Sequence, residues 1–461
     1  MNIVLFNKDL RISDHQPLTE AARSGEVLPL YVFESSQWKE TPLSVRHLQF
    51  VVESLDELTK GIEGKGGKLF FAIGEIETVL EKLLDTYDSI NLFTHNDSGL
   101  MDKVMKWVEK NQQSLFSYGP DLDNVSGKHF NNRLESYLKE PLAEVPNRIV
   151  VPSKTPDFLF GDLKKINNFR IKGTKIRFGQ QGGEMKAIET LDSFLEGRFE
   201  NYIERHQKPL PSSLSSSRLS AYITWGNISI RTIFQKTNEK LQACELEEDK
   251  IQLEEFLSKL TARVKICSME IQGQQLADVR GIKREWNEDW SQRWLQGRTG
   301  IPIIDAAMRS LDKTGWMNFS LRAMVTSFIA NTLLFDEKKL SAALAELYLD
   351  YEPAVHDFYI QQQTGVKGKM KIIDPVKVGR QLDPDGAFIR RYISELSKLP
   401  DEYIHEPWLY PAFYQLNYEA PMVDVKKAYK KARLQNQSIK NKGKPGRTKE
   451  EGETEQLSFD F

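Results

Sequence analysis

Gln296 to Arg322 reads QGRTGIPIIDAAMRSLDKTGWMNFSLR, and LDYEPAVH follows from Leu349 to His356. The first run places a Gly-rich turn ahead of an amphipathic helix, then a Gly-Trp turn with Arg322 beyond it. The second supplies Asp350 and Glu352 two residues apart, then His356. A guanidinium and a carboxylate on neighbouring elements form a paired, hydrogen-bonded charge site. Such a pair either staples a fold or binds a polar ring system, and the residues alone leave both open.

A chain of 461 residues has room for two or three domains, each with its own core. No apolar run reaches the length of a membrane span. The opening MNIVLFNKDL has no basic segment before a long apolar stretch, so no secretory signal is expected. Two cysteines, Cys244 and Cys267, are too few for a disulfide framework or a four-cysteine cluster. A reducing, cytoplasmic setting, a monomer and no metal site are expected. The net charge of −2 decides nothing about nucleic acid, which only a local basic patch can favour.

Over residues 1–120 short apolar strands alternate with helical patterns. Strands are expected at Ile3–Phe6, Val27–Phe33, Lys68–Ala72, Ile90–Thr94 and Leu115–Tyr118, and helices at His47–Leu58 and Ile76–Leu84. That order implies βαβ units and a mostly parallel sheet. No G-x-G-x-x-G follows the first strand, so a dinucleotide fingerprint is absent. Residues 121–180, with Pro141, Pro146, Pro152 and Pro156, read as an irregular connector. Helical periodicity then dominates residues 181–425, an all-α domain. The stretch 426–461 reads as a basic, disordered tail: Lys426 to Lys449 holds ten Lys or Arg and no acid. It is either a solvated tail or a non-specific clamp on a DNA backbone. The serine run Ser212 to Tyr222, SSLSSSRLSAY, offers hydroxyls and amides at a helix start, suited either to capping or to holding phosphates.

The wording of these runs resembles the photolyase and cryptochrome family. Arg298 to Arg309, Gly315-Trp316-Met317, Arg322 and Asp350-Tyr351-Glu352 are similar to its flavin-binding core, with Glu352 standing where a second Asp is usual. Ser216-Ser217-Arg218-Leu219-Ser220 resembles its Thr-Ser-x-Leu-Ser phosphate loop, and Tyr202 the tyrosine before that loop. Phe6 to Asp14 resembles the opening of its antenna domain, with the presence and identity of an antenna chromophore open. Asp383 to Arg391 and His405 to Trp408 match its post-flavin segment and read as structural. The resemblance extends to about residue 425. It implies a Rossmann-like parallel α/β domain followed by an all-helical FAD-binding domain. FAD would contact Tyr202, the Ser216–Ser220 loop, Arg263, Trp316, Arg322, Asp350, Tyr351, Glu352 and His356.

The resemblance also locates what is unusual. Where repairing members carry Glu-Leu-x-Trp-Arg-Glu on the helix before the flavin block, this chain has Lys259, Ala262, Arg263 and Val264. The Asn-Arg pair after the Gly-Trp-Met turn is Phe319-Ser320. Two readings follow: a receptor that no longer holds a pyrimidine dimer, or an enzyme that holds one through Lys259, Arg263, Phe319 and Gln362. Lys259 can face a phosphate or a carbonyl, and Phe319 can stack on a flipped base. A pattern similar to that of a divergent bacterial branch of photolyase-like proteins favours repair of UV-damaged DNA. His356 occupies the position facing flavin N5, where it can donate or accept, and Lys259 and His356 are the candidate catalytic residues. Glu337 and Ile360 stand where two relay tryptophans are usual. Trp286 and Trp294 therefore become candidate electron carriers or core residues, with Tyr359 a candidate on another path. Finally, Gln456 to Phe461 resembles the short peptides that dock on bacterial sliding clamps.

Overall fold

Five strands with few polar inward positions assemble as the alternating pattern requires. The computed structural model describes residues 1–96, 100–120, 122, 125, 127–270, 284–365 and 370–442. Strands β1 (Asn2–Phe6), β2 (Val27–Phe33), β3 (Phe70–Ile73), β4 (Asn91–His95) and β5 (Ser114–Tyr118) form one parallel sheet in the order β3-β2-β1-β4-β5. Every residue of β1 and β2 is buried, which explains why they read as continuous apolar runs. The chain reverses its direction of travel across the sheet between β1 and β4, so the carboxyl ends of these two strands form a topological switch point.

The described chain packs as two compact units. The first holds Met1–Lys175, Gln180–Glu196 and Ser217–Glu245; the second holds Ile176–Gly179, Gly197–Ser216 and the described residues from Leu246 onward. The helices Glu184–Ser193 and Ile230–Ala243 therefore belong by packing with the α/β sheet, although periodicity alone groups them with the helical region. The connector is also less irregular than its prolines suggest. Gly127–Lys139 is a helix that buries Phe130, Leu134 and Leu138, a 3.6-residue stripe, against Ile230–Ala243.

The second unit is helical and built around Trp294, Ile304, Met308, Leu311, Met324, Phe328 and Ile389. Its opening turn is held by Asp305. That buried carboxylate accepts from the Thr299 amide (2.7 Å), the Thr299 hydroxyl (2.6 Å), the Gly300 amide (2.9 Å) and the Tyr418 hydroxyl. Gly300 has φ +77°, and a Cβ there would lie 2.4 Å from the Ala420 backbone, so only glycine closes the turn. Pro302–Thr314 follows as a helix and stops at Gly315 in the left-handed conformation. Asn318 then caps Phe319–Ser327, its side chain accepting from the Leu321 amide, and a π-helical turn continues through Phe328–Thr332.

The basic stretch is the largest departure from expectation. Val425–Lys442 is a helix, not a disordered tail, and it buries Val425, Ala432 and Asn436. These positions are seven and four residues apart and share one face. Gln456–Phe461, the candidate clamp peptide, lies outside the described residues.

Candidate functional site

The Gly315 stop and the Asn318 cap together orient the first turn of Phe319–Ser327, and so aim Arg322 at the segment before Pro353–Thr364. Arg322 Nη2 donates to both oxygens of Asp350, at 3.0 and 2.7 Å, and Nε donates to the Met317 carbonyl at 2.7 Å. The guanidinium lies 4.1 Å over the Tyr348 ring. Both partners are largely buried, so the pair is charge-assisted and weakly screened. His356 sits beside it, edge-on to Tyr351 at 5.3 Å and tilted toward Tyr348 at 6.0 Å. Its Nε2 is 3.0 Å from the Ser341 carbonyl, which can only accept; the proton is therefore on Nε2 and Nδ1 is left as an acceptor. Burial, then the nearby Arg322 charge, pulls its pKa down to about 4 against the pull of that carbonyl. His356 is thus neutral at pH 7, and of the two roles expected of it the acceptor is the one this tautomer supplies.

A second cluster gathers around Lys259 on the Glu247–Glu270 helix. Its ammonium lies 3.1 Å from His206 Nε2, 4.7 Å over the Tyr202 ring and 3.6 Å from Glu255. His206 Nδ1 donates to the Tyr202 carbonyl at 2.9 Å, so Nε2 is the acceptor for Lys259. The His206 and Tyr202 rings stack at 5.2 Å. Burial, followed by the Lys259 charge, lowers His206 to about 4. Lys259 is only 4% exposed. Rather than reaching outward, it is a buried cation in a cage of ring, imidazole and carboxylate. Arg263, one turn further on, is buried as well.

The chain matches the family described as the FAD binding domain of DNA photolyase over residues 249–438, and that described as DNA photolyase over residues 2–110. It is 28% identical to a deoxyribodipyrimidine photo-lyase of Vibrio cholerae, across 92% of this chain and 97% of that one. It is 25% identical to Cryptochrome-1 of Aedes aegypti, across 92% and 90%. The structure superposes on that of a bacterial class III photolyase from Agrobacterium tumefaciens with a TM-score of 0.80 at 24% identity, covering 95% of this chain and 98% of that one. The chain belongs to the photolyase/cryptochrome family.

Within a photolyase/cryptochrome framework, the FAD-binding domain comprises the helical residues that carry Arg322, Asp350, His356 and Lys259, with Tyr202 and His206 preceding it in sequence. Three buried groups test whether a polar cofactor fits. Gln363 has both amide atoms without a partner and Gln361 has its carbonyl oxygen without one; in the other unit, the Ser220 hydroxyl is likewise buried and unpartnered. Each such group costs about 1–3 kcal/mol unless a ligand satisfies it. In the helical unit, buried amide, guanidinium and carboxylate groups suit the polar ring edges of FAD. Ser216 donates to the Ser212 carbonyl at 2.7 Å, and Ser217 accepts from the Leu219 amide at 3.4 Å, so Ser220 is the member of the serine loop best able to bind. The boundary between the two units falls between Ser216 and Ser217.

The remaining expected residues are dispersed. Phe319 packs edge-on against Tyr359 at 5.3 Å, and Gln362 is half-buried on the Pro353–Thr364 helix that also carries His356. Trp316 is buried, and Glu352 stands at the N-cap of that helix. Trp294 is wholly enclosed in the core with its indole nitrogen unpartnered. A terminal electron carrier must meet a reductant at the surface, so Trp294 is a core residue. Trp286 is half-buried, donates to Glu288 at 3.0 Å and packs edge-on against Phe335 at 5.5 Å. Glu337, at a relay position, instead pairs with Arg284 at 3.2 Å.

Several residues escaped the sequence reading. His206 and Asn318 are joined, since the Asn318 amide donates to the His206 and Gln207 carbonyls at 3.3 and 3.0 Å. At the carboxyl ends of β1 and β4, Asp9 Oδ2 lies 3.0 Å from His15 Nε2 and 2.7 Å from His95 Nδ1. The three donors have the proximity of a metal site. However, His15 Nδ1 accepts from the Leu18 amide at 3.1 Å, which places its proton on Nε2, toward Asp9. The set is thus closed by its own hydrogen bonds. The opening Asp-Leu-Arg motif was the available signal for it.

Proposed function

We propose that this chain is a FAD-dependent lyase that uses blue light to split UV-induced pyrimidine dimers in DNA. The observation that carries the reading is the Arg322–Asp350 pair, in which Nη2 donates to both carboxylate oxygens, buried beside a neutral His356 in a FAD-binding domain. Bound in its reduced form, FAD would supply the light-driven electron. Arg322 and Asp350 would hold the flavin ring, and the serine loop ending at Ser220 the diphosphate. His356 would accept a hydrogen bond through Nδ1. Phe319 would offer a stacking face to a flipped base, which exposes a π surface whatever its sequence. Arg263 and Gln362 complete the candidate lesion contacts. Lys259 would act through the field of its ammonium: a buried cation facing a low-dielectric site stabilises developing negative charge better than one in water.

A second reading, a blue-light receptor that signals without repair, is favoured by one observation. Lys259 replaces a carboxylate of repairing members and is already engaged by His206 and Glu255. The deciding measurement is loss of cyclobutane and 6-4 dimers from oligonucleotides in blue light versus darkness, with the flavin spectroscopically reduced. Light-dependent loss is expected; none, from single or double strands, removes the repair reading.

A further inference from the structure

We infer that the exposed face of the Val425–Lys442 helix is a docking surface for the phosphate backbone of duplex DNA outside the lesion pocket. The inference rests on the DNA reading above and adds a contact to it. Lys426, Lys427, Lys430, Lys431 and Arg433 are all exposed, and the helix contains no acidic residue. At 3.6 residues per turn these five cations span roughly 160° of the circumference. The buried positions Val425, Ala432 and Asn436 lie on the opposite side. The helix is seated on the π turn Phe328–Thr332, and the Asn436 amide donates to the Met370 carbonyl at 3.3 Å. The charges are therefore presented by a fixed element, not by a floating tail.

Two cations have acidic neighbours: Lys426 is 3.4 Å from Glu406 and Lys427 is 3.2 Å from Asp424. Lys430 and Lys431 have no carboxylate within salt-bridge distance among the described residues, and Arg433 lies 5.8 Å from the Tyr429 ring centroid. A concentration of uncompensated positive charge with this spread fits a polyanion. Duplex DNA is favoured over an anionic membrane because the apolar face is spent on the protein. Among the residues from Val425 to Gln437, Leu434 is the large hydrophobe left exposed, too little to anchor a bilayer-bound helix. Distance agrees as well. From Phe319 to the π turn is about ten helical residues, roughly 15 Å, a span covered by four or five phosphates of one strand.

The test is binding of a labelled, undamaged duplex in the dark, followed by anisotropy between about 50 and 200 mM salt. Wild type is compared with the variant Lys426→Gln/Lys427→Gln/Lys430→Gln/Lys431→Gln/Arg433→Gln and with the control Lys106→Gln/Lys110→Gln on a helix of the other unit. Gln preserves helix propensity, and an unchanged thermal midpoint verifies folding. The five-site variant should bind on the order of tenfold to a hundredfold more weakly at the low-salt end. Its slope of log K against log salt should be shallower by about 2–4, with the control slope retained. Equal slopes for wild type and variant would overturn the inference. So would a variant that loses binding only to phosphatidylserine vesicles, which identifies a membrane instead. Because the assay needs neither light nor turnover, a chain that fails to repair dimers can still pass it, and the two readings fail separately.

Discussion

Arg322 and Lys259 are both enclosed cations in the helical unit, yet they are held by opposite means. Arg322 meets a full carboxylate through two hydrogen bonds of 3.0 and 2.7 Å, with a third to a carbonyl. Lys259 meets a neutral imidazole at 3.1 Å and an aromatic face at 4.7 Å, with its nearest carboxylate 3.6 Å away and partly exposed. The first arrangement is neutral overall and geometrically fixed by the planar guanidinium. The second sets a buried positive charge against a neutral ring, an aromatic face and a longer ion pair to Glu255.

The comparison breaks most readily at Asp350. Asp350→Asn leaves the Arg322 charge largely buried without its counter-ion, a loss of about 3 kcal/mol in unfolding free energy. Chemical denaturation should show a lower midpoint at unchanged slope, and the purified variant should lose most of its flavin absorbance.

Acid should act on both clusters at once. His206 and His356 are each held near a pKa of about 4, below the ordinary value of 6.5. The unfolded chain takes up these protons first, between pH 6.5 and 4, so stability is full above about 6.5 and falls as pH drops toward 4. In His206→Gln the loss between pH 7 and 5 should shrink by on the order of 1–2 kcal/mol. Thermal midpoints measured for the two proteins across that window check this; parallel curves would remove His206 from the account.

Much of this could be read from residue order, for definite reasons. Arg322 and Asp350 lie in runs where the turn glycine, the cap and the charged residue are each dictated locally. The five strands were legible because each is short, apolar and bounded by turn residues. His206 was not, because its partner Lys259 is 53 residues away and only the packing of Tyr202 brings them together. The helix at Val425–Lys442 was hidden by its own charge. Its buried stripe is Val425, Ala432 and Asn436, and a stripe containing a small residue and an amide carries little apolar signal. The unit boundary was also illegible, since it falls inside the serine loop, and residues 217–245 pack with the sheet.

The smallest stability effect and the most pointed one belong to Lys259→Met. Methionine keeps the length and apolar stem of lysine and removes the charge. It ends a desolvation cost and a set of contacts together, so net stability should move by no more than about 1 kcal/mol. The neutral acceptor on His206 is left behind, which tempers any gain. The Lys259 charge also helps to depress the His206 pKa, second only to burial. In Lys259→Met the acid limb of the stability profile should therefore move, with His206 returning part of the way toward 6.5, as direct titration of the imidazole by NMR would report. A purely structural lysine predicts that shift and nothing more. A lysine whose field serves the lesion pocket predicts, in addition, dimer loss at least tenfold slower with bound FAD unchanged. The contrast with Asp350→Asn is then complete: one variant loses the cofactor, and the other keeps it and loses the reaction.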